Sequence, residues 1–392
     1  MKFDQKKKII INDTYAEINL NELKNNFNKI KNYTGKDKKI CSVVKANAYG
    51  HGMNETAKVL SESGTDYLGT ADYSESIILS KYLKNFSLKT PILCLGILTE
   101  NGKYFDEIIK GNIEVSIADV KIAEYLNNFA KSRNKKINIQ IQADSGINRT
   151  GFLLKDVYEA FEKINKLENL RIKGVYSHFA TSENPRNSYA LRQLSEFKKL
   201  LQEIEHNIKK IELRHICNSG GILNYNDPYF NMVRPGISLY GYYPDIKKVR
   251  KKKGSDTGSE IGINPVMTLK SKVSFIKTLD KNQSISYGQK YFTKSKTKIA
   301  SIPIGYGDGY PRLLTNKSYV EISGKLYRTV GTVCMDWIMA DLGINSDIKV
   351  NDEVILIGKN YTADKLAELT GTIAYEITCN ISSRVQRRYI NS

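Results

Sequence analysis

Nowhere in the 392 residues do two cysteines stand in a C-x-x-C pair, and Cys41, Cys94, Cys217, Cys334 and Cys379 form an odd, scattered set. That pattern argues against a disulfide framework and against the paired ligands of a structural zinc site, so no metal is expected and the thiols read as reduced. Long apolar runs are also missing: no stretch approaches the roughly 20 residues that a membrane span needs. The N-terminal "MKFDQKKKIIIND" lacks the apolar segment and the small-residue cleavage site of a secretory signal. A cytoplasmic protein with no membrane partner is expected. No internal repeat is visible. Acidic residues are in deficit, 41 against 60 basic ones, for a formal net charge of +19. The lysines are dispersed over nearly every amphipathic segment rather than gathered on one face, which argues against a nucleic-acid partner and for solvated helix faces. The sharpest basic cluster, "KKVRKKKGSDTGSE" at Lys247–Glu260, reads as a mobile loop or linker.

What the chain does have is alternation. From residue 15 to about 245 short apolar segments alternate with amphipathic ones, the signature of parallel β/α units. Strands are expected at Ile40–Val44, Asp66–Thr70, Pro91–Leu95, Ile113–Ile117, Ile137–Ala143, Ile172–His178, Glu212–Cys217 and Tyr229–Val233. A helix at Asn21–Lys31 precedes them, and helices such as Asn54–Ser63, Val120–Ser132, Asp156–Leu167 and Ser188–Ile208 fill the gaps. Eight such units in about 230 residues match a closed (β/α)8 TIM-like barrel; an open doubly wound sheet is the alternative left standing. Beyond Glu260 the helices nearly vanish. Val266–Leu279, Ile299–Ile304, Tyr319–Val333 and Glu353–Ile357 read as strands, with Gly324 at a turn, and only Ala363–Leu369, behind Thr362 as N-cap, reads as helical. The expected organisation is an α/β barrel over 14–248 and a mostly-β C-terminal domain over 249–392, to which residues 1–13 are candidates to add a strand.

In a β/α barrel the chemistry sits on loops at the C-terminal ends of the strands. Lys45 follows the first strand in "SVVKANAYGHG" (Ser42–Gly52), and Asp144, Gly146 and Arg149 follow the fifth. His178 ends the sixth strand, Asn218 and Ser219 follow the seventh, and Arg234 ends the eighth. Singly, each has an ordinary explanation: a solvated lysine, a satisfied core histidine, a salt-bridged arginine. Their coincidence at one end of the barrel points to a site. A lysine at the rim of a partly apolar pocket loses its proton readily, and a neutral amine condenses with a carbonyl. If that carbonyl belongs to pyridoxal 5'-phosphate, "NSGG" (Asn218–Gly221) and "RPGI" (Arg234–Ile237) offer a hydroxyl and closely approaching amides for its phosphate.

"SVVKANAYGHG" closely resembles the pyridoxal-phosphate attachment motif of the alanine racemases. The resemblance continues in order through "DSGINRTGF" (Asp144–Phe152), "YSHFATSE" (Tyr176–Glu183), "HICNSGG" (His215–Gly221), "MVRPGISLYG" (Met232–Gly241), "SYGQKY" (Ser286–Tyr291), "IPIGYGDGYPR" (Ile302–Arg312), "VGTVCMDWIMADL" (Val330–Leu342) and "GTIAYEITC" (Gly371–Cys379). It implies a homodimeric isomerase that interconverts L- and D-alanine, supplying D-alanine for peptidoglycan. Lys45 would carry the cofactor covalently. Tyr49, Asn218, Ser219, Tyr375 and the amides of Gly236 and Ile237 would hold it, His178 would pack against its ring, and Arg234 would face its pyridine nitrogen. An arginine can only donate there, leaving that nitrogen unprotonated and favouring return of a proton to Cα. Lys45 and Tyr287 would be the two bases, one on each face, with His178 and Arg234 as neighbours able to lower the phenol's pKa. Arg149, Met335 and Tyr306 would bind substrate. Tyr287 and Met335 would come from the partner chain, making the sites composite.

Rival readings are a racemase of serine or of a broader range of amino acids, a non-catalytic pyridoxal-phosphate carrier, and a decarboxylase of basic amino acids, which would need a carboxylate where Arg234 stands. Three positions depart from the family's usual residues. Thr332 stands where many members have an arginine near the substrate entrance, Gln142 where many have a lysine that becomes a carbamate, and Glu183 where aspartate is usual. Gln142 is expected to accept a hydrogen bond from Arg149 in place of the carbamate.

Overall fold

The computed structural model describes residues 13–99, 102, 104–184, 187–225, 227–244 and 261–391. The basic segment Lys247–Glu260, expected as a linker, lies outside them. The chain divides into two compact units, one over Glu22–Asn264 and one formed by Pro265–Ser392 with the segment that ends at Asn21.

The first described strand is β1 (Tyr15–Asn19). The Glu22–Asn264 unit then holds β2 (Lys39–Val43), β3 (Tyr67–Thr70), β4 (Ile92–Ile97), β5 (Ile113–Ile117), β6 (Ile137–Asp144), the two-residue β7 (Phe152–Leu153), β8 (Leu170–Tyr176), β9 (Leu213–His215) and β10 (Met232–Val233). They pair in parallel in the order β10-β2-β3-β4-β5-β6-β8-β9, with β7 attached to β6. Between β9 and β10 two backbone hydrogen bonds, Asn231 N–H to Arg214 C=O (3.0 Å) and Arg234 N–H to Cys217 C=O (2.9 Å), bring the ends of the ring together. The barrel is nearly closed, and the open doubly wound sheet is set aside. Continuous burial along β3 and β5 explains why these strands read as unbroken apolar runs: helices cover the outside and side chains fill the inside. The helices start where short polar side chains cap them. Asp119 accepts from the amides of Lys121 and Ile122 at the head of Val120–Ser132, and Asn187 from those of Tyr189 and Ala190 at the head of Ser188–Asn207.

The other unit is built on one sheet, with β11 (Met267–Lys272), β12 (Phe275–Leu279), β13 (Thr297–Ile302), β14 (Tyr319–Ile322), β15 (Lys325–Thr329), β16 (Ile338–Asp341), β17 (Glu353–Ile357) and β18 (Gln386–Ile390). Its order is β12-β13-β16-β15-β14-β17-β11-β1-β18, antiparallel except for β1 beside β18. Here the structure corrects the expected boundary: β1 belongs to this sheet, although residues from 14 onward were assigned to the barrel. The physical reason is visible in "YAEIN", where Ala16 and Ile18 alternate with half-buried neighbours, the pattern of a half-covered sheet and not of a barrel strand. The expected strand Tyr319–Val333 is a hairpin, turned by Ser323 (φ 49°) and Gly324 (φ 76°). Thr362 stands at the N-cap of Ala363–Thr370, but its hydroxyl makes no capping bond. A second helix, Ala374–Cys379, went unforeseen; it is six residues long and opens on Ile373, which cannot cap. Among the described residues no helix is long and apolar enough to cross a membrane.

Candidate active site

Lys45 leaves the C-terminal end of β2 into a backbone that few sequences tolerate. Ala46, Asn47, Ala48 and Tyr49 all take φ between 52° and 54°, a left-handed turn with no glycine in it. Each such residue costs roughly 1–2 kcal/mol, so the turn persists only because its surroundings hold it. The Ala46 N–H donates to Glu75 Oε1 (2.7 Å), and the Met53 N–H to Asn47 Oδ1 (2.9 Å). His51, fully buried, places Nδ1 3.0 Å from both the Ala48 and Tyr49 carbonyls. Glu75 fixes the next strand end as well, its other oxygen accepting from the Ala71 N–H at 2.9 Å.

The turn delivers the Tyr49 hydroxyl over Gly236, where a Cβ would lie 2.4 Å from it. Beside this pair, Ser219 Oγ accepts from the amides of Gly236 (2.9 Å) and Ser238 (3.3 Å). Ile237 is fully buried, and among the described residues no hydrogen bond takes its N–H. A buried amide donor left open, next to a serine hydroxyl and a tyrosine hydroxyl, is a cradle for a phosphate-sized anion. Asn218 caps the short helix that follows by accepting from the Gly221 N–H (2.9 Å), and its Nδ2 lies 3.5 Å from His178 Nε2.

Arg234, only 3% exposed, is held by a hydrogen-bond chain through the barrel interior. Its Nη1 donates to His215 Nδ1. His215 Nε2 then donates to Gln140 Oε1 (2.6 Å), Gln140 Nε2 to Glu114 Oε2 (2.6 Å), and the Tyr67 hydroxyl to Glu114 Oε1 (3.1 Å). Nη2 donates to the Ser177 carbonyl (2.7 Å) and to His178 Nδ1 (3.2 Å). Among the described residues no bond takes the Arg234 Nε–H, which is left as an outward donor. Burial, then Arg234, holds the His215 ring well below its ordinary pKa. His178 is depressed by burial and then by Arg234, Arg149 and Lys45. His178 is therefore a neutral ring, not the cation expected beside the tyrosine base. Burial also pushes the Cys94 and Cys217 thiols up to about 11 and Cys41 up to about 12, so these three are packing groups and not nucleophiles.

Asp144 ties up the loop after β6, accepting from the amides of Gly146 (2.8 Å), Asn148 (3.0 Å) and Arg149 (3.0 Å), and the Arg149 side chain is exposed. The expected Gln142–Arg149 bond is absent. Gln142 is buried and spends its amide on Thr150 Oγ1 (2.8 Å) and the Thr150 carbonyl (3.1 Å), while its carbonyl accepts from the Tyr176 hydroxyl (3.0 Å). A neutral amide on a strand finds its nearest partners within the barrel wall, and nothing anionic draws the guanidinium towards it.

In the β-rich unit Tyr287 is 73% exposed. It follows Ser286 (φ 66°) and precedes Gln289 (φ 48°), and two hydroxyls latch this strained segment reciprocally. Ser286 Oγ donates to the Thr332 carbonyl and Thr332 Oγ1 to the Tyr287 carbonyl, each at 2.7 Å. Thr332 is buried, so it supports Tyr287 from beneath and does not stand in for the relatives' arginine. Met335 is 52% exposed, and no hydrogen bond among the described residues takes its N–H. Tyr306 is exposed and Tyr375 half-buried on the helix Ala374–Cys379. Glu114, Gln140, His215, Glu75 and the supporting role of Thr332 were all missed from sequence. For His215 and Thr332 there was a signal, their places in "HICNSGG" and "VGTVCMDWIMADL".

The chain's similarity to known proteins is extensive. Residues 18–244 match the family described as "Alanine racemase, N-terminal domain", and residues 266–389 match "Alanine racemase, C-terminal domain". It is 39% identical to a protein named alanine racemase 2 from Caldanaerobacter subterraneus subsp. tengcongensis, covering 97% of this chain and 95% of that one. It is also 39% identical to an alanine racemase of Clostridium kluyveri, covering 96% and 94%. Its fold matches that of an alanine racemase from Clostridium difficile 630 with a TM-score of 0.87 and 38% identity, over 97% and 96% of the two chains. A Bartonella henselae alanine racemase, solved with covalently bound pyridoxal phosphate, matches with a TM-score of 0.81 and 27% identity, over 96% and 99%.

The buried imidazoles carry a pH consequence. Between the depressed folded pKa values and the ordinary value near 6.5, unfolding takes up protons, so stability rises with pH up to about 6.5 and is lost as pH falls below it. Urea unfolding should show a slope approaching about 1.4 kcal/mol per pH unit for each buried histidine below pH 6.5, flattening above it. His215→Gln should flatten the slope by about one proton; an unchanged slope would mean that His215 is not held neutral.

Proposed function

The chain belongs to the alanine racemase family, and on that premise we propose that it interconverts L- and D-alanine with pyridoxal 5'-phosphate held on Lys45, in a homodimer whose sites each draw on two chains. The observation that carries this reading is the anion cradle at the strand ends: the buried, open Ile237 amide beside the Ser219 hydroxyl and the Tyr49 hydroxyl over Gly236, with Arg234 hydrogen-bonded to His178 at 3.2 Å. Open amide and hydroxyl donors suit a phosphate, and a lysine at the adjacent strand end suits covalent attachment of a carbonyl. The residues fit the cofactor. The open Ile237 amide, Ser219, Gly236, Tyr49, Asn218 and Tyr375 suit its phosphate, His178 its ring, and the outward Arg234 Nε–H its pyridine nitrogen. Bound there, it supplies an electron sink that makes the Cα–H of an amino acid acidic.

Everything else falls to the chain's own groups. Lys45 Nζ and Tyr287 Oη remove and return the proton at Cα from opposite faces, Lys45 serving the D-isomer and Tyr287 the L-isomer. Arg149 and the Met335 N–H hold the carboxylate, and Tyr306 lies against the substrate. Arg234 donates and never accepts, which favours return of the proton to Cα over competing reactions. The exposure of Tyr287 and Met335 supports their assignment to the partner's site.

Borohydride reduction of the holoenzyme and peptide mapping should leave the cofactor on Lys45; label on another lysine rejects the attachment site. Tyr287→Phe should lose about 10²–10⁴-fold in racemisation while retaining cofactor. Mixing Lys45→Ala with Tyr287→Phe chains should restore part of the activity through hybrid dimers, and no recovery despite subunit exchange would contradict shared sites.

Thr332→Val keeps the side chain's size but deletes its bond to the Tyr287 carbonyl. We expect turnover to fall about two- to tenfold, the worth of one such hydrogen bond, with cofactor binding unaltered. Unchanged turnover would show that the latch does not position Tyr287.

A further inference from the structure

We propose that Arg384 is a positioning residue for substrate: it pins the Gly305–Gly309 turn to the Cys334–Asp336 turn and so fixes the Met335 N–H and the Tyr306 ring. The proposal rests on the assignment of Met335 and Tyr306 to substrate binding.

The two turns lie back to back. The Tyr306 N–H donates to the Cys334 carbonyl (3.0 Å) and the Gly307 N–H to the Met335 carbonyl (2.9 Å). The Met335 carbonyl is thus occupied while its N–H takes no bond among the described residues. Contact is too close for side chains: a Cβ at Gly305 would meet the Cys334 carbonyl oxygen at 2.2 Å and that of Met335 at 2.3 Å. Arg384 spans the seam. Its Nη2 donates to Asp336 Oδ1 (2.7 Å), beside Met335, and its Nε lies 3.4 Å from Asp308 Oδ1, beside Gly307. Asp308 in turn accepts from the Gly305 N–H through Oδ2 (3.0 Å), closing the turn that bears Tyr306. Nη1 rests on Gly307, where a Cβ would come within 2.4 Å of it and within 3.1 Å of the Met335 carbonyl oxygen, so a side chain at 307 would crowd both the guanidinium and Met335. Its planar fork suits two carboxylates at once, which a lysine cannot match.

Arg384→Ala should raise the KM for both alanine enantiomers about tenfold, as expected when a hydrogen bond to a charged group is weakened. The inhibition constant of propionate, a bare carboxylate, should rise in parallel, while kcat, cofactor content and Tm stay near those of the parent. Arg384→Lys should be intermediate. Gly307→Ala, which crowds both the guanidinium and Met335 at the same seam, should raise KM as well. If Arg384→Ala and Gly307→Ala lower kcat or cofactor content at constant KM, the clamp is refuted. If both leave KM alone while Met335→Pro, lacking the N–H, raises it, the clamp is wrong and the Met335 assignment stands. If Met335→Pro also leaves KM unchanged, the assignment fails and the clamp with it.

Discussion

A guanidinium buried in the wall of a barrel needs compensation, and the way Arg234 receives it governs the barrel end of the site. Among the described residues no carboxylate touches it. Its charge is met through His215, Gln140 and Glu114, a chain in which every donor points away from the arginine and towards the acid. Burial raises the Glu114 pKa, while the bonds from Gln140 and Tyr67 favour its charged form, and both donate to it as they would to a carboxylate. A direct ion pair would occupy the guanidinium's fork. The relay takes only Nη1, Nη2 goes to carbonyls and to His178, and Nε–H is left for a ligand. The same cation helps keep His178 and His215 neutral, so donor capacity and local charge are set by one residue.

The second constraint is the left-handed turn after Lys45. Its cost is borne by Glu75, Asn47 and His51, none of which touches the reacting groups in the proposed reading. Strain of this kind persists where surroundings over-determine it, and it makes the lysine's departure from the strand a fixed geometry. The latch at Ser286 and Thr332 does the same for Tyr287 in the other unit, again with non-glycine residues at positive φ.

Much of this was legible in the sequence. The barrel strands read as continuous apolar runs because both of their faces are covered, and Lys45, His178, Ser219 and Arg234 stood out because they end those runs. Glu114 and Gln140 did not, since one polar residue within an apolar strand looks alike whether it meets solvent or a buried chain. β1 was misplaced because the alternation of apolar and amphipathic segments was read from residue 15 onward, and only the alternating burial of Tyr15–Asn19 assigns it to the other sheet. Gln142 was expected to face Arg149 by analogy with a charged group, and a neutral amide has closer partners in Thr150 and Tyr176. Backbone strain at Ala46–Tyr49 has no compositional mark, as alanine is not a residue that announces a left-handed turn.

The relay holding Arg234 is tested most directly by the ring ¹⁵N resonances of histidine-labelled holoenzyme. The chain has four histidines, and comparison with His215→Gln assigns the relevant signals. The account predicts a neutral His215 from about pH 6 to 9, with the proton on Nε2 and with Nδ1 as an unprotonated acceptor, as the bonds to Gln140 and Arg234 require. A cationic ring, or a proton on Nδ1, would contradict it.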